Sequence, residues 1–144
     1  MTAIIVSGHG QFSLGLLDAF EMIFGKDEEI VAVPFLKGEG IPQLQEKFHK
    51  EIDKFKEQEI LILVDVFGGT PYNAATQLIY GNKNIDVVTG VNLPLLLEGA
   101  GLKSQPLNEL IQSLRAVSQE SFKVFSEQIE KLQATNEDKE EDEL

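Results

Sequence analysis

One of the two histidines of this chain lies between two glycines, directly after a short apolar segment (IIVSGHGQF, residues 4–12). Glycine loses side-chain packing but allows close backbone approach, so this spacing indicates that another group must reach His9. A second polar residue, Asp65, ends the most apolar segment and precedes a glycine turn (LVDVFGGTPYN, residues 63–73). If the two segments are neighbouring strands, His9 and Asp65 converge at one edge of a sheet.

A carboxylate beside an imidazole has a defined chemical role. By accepting from one ring N–H it selects the tautomer and leaves the other nitrogen free as a base, a metal ligand or a nucleophile. Gly68, Gly69 and Thr70 follow Asp65 closely. A glycine turn, a hydroxyl and the N–H groups of a helix start suit an anion such as phosphate. The combination predicts a phosphoryl acceptor at His9.

The same residues also have ordinary structural interpretations. His9 can be a loop residue, Asp65 can cap the following turn, and residues 68–71 can be only a turn and a helix start. Phe12 and Phe67, beside the expected crevice, are either core residues or exposed contacts for a partner. It is the joint placement at two strand ends that favours the chemical interpretation.

Several other kinds of site are disfavoured. His9 and Asp65 are two potential ligands where a metal site needs three or four, so we predict no metal. There is no GxxxxGK loop, which argues against ATP hydrolysis. The first strand does not end in an acidic pair, so an aspartyl-phosphate receiver centred on Asp65 would lack its metal ligands. His49, on a predicted helix, is expected at the surface. No cofactor is predicted.

The composition indicates one domain. The chain has 144 residues, no cysteine and a formal net charge of -12. This charge would repel a phosphate backbone, so nucleic acid is not an expected partner. The apolar runs are short and no basic stretch precedes the first of them, which disfavours a membrane span or a signal peptide. With no cysteine, a cytoplasmic location is expected.

The pattern alternates strands and helices. Strands are predicted at 3–8, 30–35, 59–64 and 85–89, with helices at about 16–24, 41–55, 70–79, 93–98 and 107–117. Thr70 is the predicted N-cap of the third helix, followed by Pro71. This alternation predicts an α/β domain with a single open, mostly parallel sheet and helices on both faces. The strand order we expect is 2-1-3-4, in which the strands that precede His9 and Asp65 are neighbours.

The C-terminal part is harder to assign. Phe122, Val124 and Phe125 either extend a helix or form an antiparallel edge strand, because their spacing suits both. Six acids and one lysine over residues 135–144 predict a disordered tail, which leaves residues 1–134 as the domain.

Three segments together carry a family resemblance: IIVSGHG, LVDVFGGTPYNAA and VVTGVNLPLLLE (residues 87–98). In this order and position they resemble the IIA component of the mannose-class sugar phosphotransferase system. DVFGGTPYN is the most specific of them, and the resemblance runs from about Ala3 to Val117. In that family a histidine accepts a phosphoryl group from the phosphocarrier HPr and passes it to a IIB domain. IIB then phosphorylates sugar entering through the membrane components IIC and IID.

The resemblance implies a role for each residue of the site. His9 would be phosphorylated on Nε2, Asp65 would orient the ring through Nδ1, and the Thr70 hydroxyl would lie beside the phosphoryl group. Gly10 and Gly69 match the surrounding loop. The family also implies a homodimer with an exchanged C-terminal strand, from which the helical pattern of this C-terminal third departs. IIB is expected to be a separate polypeptide.

Three other functions stay open at this point. A related phosphocarrier subunit that serves dihydroxyacetone kinases would share the fold and His9. A regulatory binding module, or a domain that binds a small molecule in the His9 crevice, would not transfer phosphate.

Overall fold

Four parallel strands form the centre of the computed structural model, which describes residues 1–142 and the side chains of residues 1–137. The strands are Thr2–His9 (β1), Ile30–Phe35 (β2), Glu59–Val64 (β3) and Ile85–Thr89 (β4). The helices are Phe12–Phe24 (α1), Ile41–Lys54 (α2), Thr70–Ile79 (α3), Leu93–Leu102 (α4), Leu107–Leu114 (α5), Val117–Ser121 (α6) and Phe125–Asp142 (α7). Each predicted strand is present, within one or two residues of its predicted bounds.

The strand order is β2-β1-β3-β4, which confirms the predicted topology. β1 pairs in parallel with β2 on one side and with β3 on the other. The chain therefore leaves β1 in one direction and continues from β3 in the other, which creates a switch point where these two strands end. Pro34, which has no N–H to donate, lies on the edge strand β2, as its chemistry requires.

The helices cover both faces of the sheet, because strand side chains point alternately to opposite sides. On one face, Ile4 and Val6 pack in a core that includes Phe20 of α1 and residues of α4 and α5. On the other face, Ala3 and Ile5 pack with α2 and α3. Burying large side chains such as Phe20 stabilises the fold by about 1.5–3 kcal/mol each. Within the described chain, no helix has the length and apolarity needed to cross a bilayer.

The C-terminal segment forms no fifth strand in this chain. Residues 122–124 are neither helix nor strand and pair with no strand among the described residues, and α7 begins at Phe125. Strong helix formers over residues 127–134 explain why the helix continues there. α7 runs on to Asp142, past the predicted domain end at 134. That boundary stays a prediction, and residues 143–144 of the predicted tail lie outside the described residues.

Candidate functional site

His9 and Asp65 meet at the switch point, which confirms the convergence predicted from their positions after two strands. His9 is the last residue of β1, and Asp65 directly follows β3. The ring nitrogen Nδ1 of His9 lies 2.7 Å from Oδ2 of Asp65. The His9 side chain is 51% exposed and that of Asp65 is 15% exposed. The pair therefore has one sheltered member and one that faces solvent.

Asp65 is held by main-chain donors as well as by the ring. The backbone N–H of His9 donates to Oδ2 over 3.0 Å, and the backbone N–H of Val66 donates to Oδ1 over 2.9 Å. In the neutral imidazole, a carboxylate acceptor at Nδ1 places the proton there and leaves the lone pair on Nε2. The arrangement thus presents a nucleophilic nitrogen on a ring whose orientation is fixed.

The same contacts control the ionisation of Asp65. Burial raises the pKa of its carboxyl, but hydrogen bonds from the N–H and ring of His9 and from the N–H of Val66 outweigh it, so the pKa lies below the ordinary 3.8. A carboxylate with a lowered folded-state pKa contributes stability above its unfolded pKa, and this contribution is lost as the pH falls through the folded value.

A pH dependence of stability follows from this shift. We expect the free energy of unfolding of the wild type to fall below about pH 4, and to fall less steeply in Asp65→Asn, which has no carboxylate to protonate. Urea unfolding of both proteins across this range measures the difference. Parallel curves would show that the carboxylate has the same pKa in the folded and unfolded states. Subtracting the two curves removes the contribution of all other acids.

Glycine is required at two places around the imidazole. A Cβ on Gly8 would lie 2.5 Å from Cδ1 of Phe12 and 3.2 Å from the carboxylate carbon of Asp65. A Cβ on Gly69 would lie 2.9 Å from Cε1 of His9. These glycines leave the space that the aromatic ring, the carboxylate and the imidazole occupy.

Gly10 serves a different purpose. Its φ of 60° lies in the left-handed region, and no atom lies within 4 Å of a Cβ built there. Its N–H donates to the carbonyl oxygen of Phe35 over 2.7 Å. Gly10 therefore turns the chain from β1 towards α1 while tying it to the end of β2.

The start of α3 faces the ring, but its cap differs from the prediction. Gly69 is the N-cap, with extended φ of -76° and ψ of 172°, and Thr70 is the first helical residue, so Thr70 was wrongly predicted as the cap. The helix therefore begins one residue earlier than predicted, and the N-cap glycine, which has no side chain, lies close to the imidazole. The first N–H groups of a helix have no intrahelical partner, so this end can receive an anion.

The two phenylalanines named from the sequence are exposed to different degrees. Phe12 is 39% exposed and packs over Gly8, whereas Phe67 is 77% exposed, with its ring 4.8 Å from that of Tyr72. A core position is therefore wrong for Phe67. Phe35 was missed, although its ring lies edge-on to His9 at 5.8 Å. The predicted strand order could have identified it, since it ends the strand beside β1.

Comparison with known proteins gives consistent matches. A family model described as "EIIA-man: PTS system fructose IIA component" matches residues 3–115. The chain is 49% identical over its full length to the whole fructose-specific EIIA component of Bacillus subtilis. It is 34% identical to the sorbose-specific EIIA component of Lacticaseibacillus casei, covering 88% of this chain and 92% of that protein.

A solved structure shares the fold. The phosphotransferase system component EIIA from Streptococcus agalactiae superposes with a TM-score of 0.80 at 32% identity, over 88% of this chain and 98% of that one. The family model spans most of the chain, and the relatives are matched over nearly their whole length. The chain therefore belongs to the mannose-class EIIA family of the sugar phosphotransferase system.

Proposed function

We propose that this chain is a phosphoryl carrier in bacterial sugar uptake, which accepts a phosphoryl group on His9 from phospho-HPr and passes it to a separate IIB protein. The observation that carries this proposal is the 2.7 Å contact between Nδ1 of His9 and Asp65, on a ring that is half exposed. A fixed ring with a free nitrogen at the surface suits transfer between two proteins in turn. Membership of the EIIA family supports the same role.

The transfer is a displacement at phosphorus. The Nε2 lone pair of His9 attacks, the bond from phosphorus to the donor imidazole breaks, and its electron pair returns to the donor nitrogen. The Nδ1 proton stays on His9 and remains hydrogen-bonded to Asp65. The carboxylate stabilises the ring as it becomes more positive. Transfer to IIB repeats the displacement, with His9 as the leaving group.

The phosphoryl group would be received at the start of α3. A Cβ on Gly69 would lie 3.6 Å from Nε2, so this turn borders the reacting nitrogen. N–H groups there, with the hydroxyl of Thr70, are the proposed donors to the phosphoryl oxygens. The N–H of Gly10 is already bonded to the carbonyl oxygen of Phe35, so Gly10 contributes to the surrounding loop rather than acting as a donor. These donors stabilise charge without a metal or cofactor.

The partners are proposed from the exposed surface and the family. Phe12, next to Gly8, and Phe67, two residues after Asp65, are exposed and would contact HPr and IIB in turn, through small transient interfaces. IIC and IID would be reached only indirectly, with the carrier acting in the cytoplasm. Fructose is the first sugar to test, because the relative at 49% identity is fructose-specific.

A homodimer is also proposed. β4 is an edge strand, and a cavity of about 380 Å³ beside it is lined in part by Val88, Leu95 and Ile111. Phe122 and Phe125 are 79% and 81% exposed. Open strand edges and exposed aromatic rings favour association, so a second copy would cover them. Sedimentation velocity should give a dimer, with more monomer in Phe122→Asp; a wild-type monomer would contradict the proposal.

Gly69→Ala should impair transfer while leaving the fold intact. Its Cβ would push Cε1 of His9 away, and a misplacement of this size slows phosphorylation by about 10- to 100-fold. The φ and ψ angles of Gly69 are also favourable for alanine, so the melting temperature of the variant should change little. Gly15→Ala, in open space on α1, is the matched control. Equal phosphorylation rates for the two variants would show that the ring is free to move.

The test of the proposed function is intact-mass spectrometry after incubation with phosphoenolpyruvate, enzyme I and HPr. We expect one added phosphoryl group, lost in acid as a phosphoramidate is, and mapped to the peptide that contains His9. A second incubation with IIB should remove it. No added mass with an active HPr from the same organism would reject the carrier role and favour the kinase-linked subunit or the binding module.

A further inference from the structure

A tightly braced turn borders His9 on the side of β2. The N–H of Glu39 donates to the carbonyl oxygen of Leu36 over 3.1 Å, and Gly38 has φ of 86°, as the third residue of a type II turn requires. The Glu39 carboxylate accepts from the N–H of Leu36 over 2.7 Å. The turn is therefore closed by both main-chain and side-chain bonds.

A lysine from α2 anchors this turn to the sheet. Nζ of Lys47 donates to Oε1 of Glu39 over 2.7 Å and to the carbonyl oxygen of Pro34 over 2.6 Å. These bonds neutralise the carboxylate of Glu39. They also fix the main chain of the turn, which places Lys37 at its second position.

Lys37 and His9 line the same cleft. The volume of this cleft is about 440 Å³. The rest of its wall is formed by Gly10, Phe35, Leu36, Gly38 and Glu39. Lys37 is exposed and forms no ion pair with any residue whose side chain is described. Its ammonium group is thus available to a molecule that approaches His9.

We propose that Lys37 is a positioning residue that attracts the phosphorylated side chain of the donor into the cleft beside His9. The inference rests on the proposed carrier function and deepens it, because it names the charge that recognises the donor. It adds no covalent step. Lys37 acts before the displacement, on the approach of the negatively charged group.

The electrostatics of the chain explain why such a cation is needed. The formal net charge is -12, and Asp65 places a carboxylate directly behind the imidazole. A phosphoryl group carries about two negative charges, so the protein as a whole repels it. A cation at the rim of the cleft would offset this repulsion locally, and such steering acts on association rates and weakens as salt increases.

The experiment compares the rate of phosphoryl transfer from phospho-HPr in wild type, Lys37→Gln, Lys37→Arg and Lys26→Gln. Lys26 is exposed between α1 and β2, at the opposite end of β2 from Lys37. Its variant therefore carries the same net charge without changing the cleft. Rates are measured at about 10 mM and about 1 M salt, where the Debye length is roughly 30 Å and 3 Å. Circular dichroism checks that each variant is folded.

We expect Lys37→Gln to lower the second-order rate constant by about tenfold at low salt and by much less at high salt. Lys37→Arg should restore the rate, and Lys26→Gln should stay near wild type. If Lys37→Gln and Lys26→Gln react alike, or the loss persists at high salt, the inference is overturned and the carrier function stands. If the wild type is not phosphorylated at all, both are overturned.

Discussion

His9→Ala is expected to accept no phosphoryl group from phospho-HPr, whereas the wild type gains one per chain. The variant lacks the imidazole that the site presents to a donor, and water cannot replace it because the phosphoryl group must remain on the protein. The side chain of His9 is 51% exposed and packs little, so the variant should fold normally. The measurement is intact mass under conditions that fully label the wild type.

The chain supplies its own matched control, because it has only one other histidine. His49 lies on the exposed side of α2, and the structure confirms its predicted surface position. His49→Ala should be labelled like the wild type. If His9→Ala is labelled and His49→Ala is not, the acceptor is His49, and the site at His9 is rejected. Labelling of both variants would point to an acceptor that is not histidine.

Asp65→Asn should remain folded and lose phosphoryl transfer by about 10²- to 10⁴-fold, as expected when the orienting carboxylate of a reactive histidine is replaced by an amide. Asp65 accepts from the ring of His9 and from the N–H groups of His9 and Val66. An amide offers one oxygen and two N–H donors, so it cannot accept all three bonds. It also removes the negative charge that stabilises the ring during transfer.

The tautomer of His9 provides a second measurement of this variant. Nitrogen NMR of the ring should find the proton on Nδ1 in the wild type and a larger fraction on Nε2 in Asp65→Asn, because an amide N–H can donate to Nδ1. A structural role alone would lower stability without moving the proton. A variant with wild-type rate and tautomer would show that Asp65 only holds the main chain.

The parallel sheet and the pairing of His9 with Asp65 could be predicted from local sequence patterns. Apolar β-branched runs such as residues 3–8 and 59–64 can be buried only between covering helices, which predicts a parallel sheet. The expected strand order was 2-1-3-4. In that order β1 and β3 are neighbours, and parallel strands end at one edge. Given that strand order, the proximity of His9 and Asp65 could be predicted without knowledge of side-chain packing.

Other features depended on contacts between distant segments. Gly69 rather than Thr70 caps α3, and a side chain at Gly69 would displace the imidazole of His9, which belongs to a distant segment. Periodicity could not say whether Phe67 is buried, since it lies in a turn; the fold exposes it. The cleft that His9 and Lys37 line could not be predicted from the sequence, because its walls come from the ends of both β1 and β2.

The order of residues along the chain was thus enough to predict the parallel sheet, the candidate histidine and its carboxylate partner, because hydrophobic periodicity and strand ends are local properties. The packed molecule determined how close the partners come, which glycines must stay bare and which surface a partner meets. Those properties depend on distances between residues far apart in sequence, such as the 2.7 Å between His9 and Asp65. The end of the chain from residue 122 is the clearest case, since its spacing suits a strand and a helix equally and only packing can choose between them.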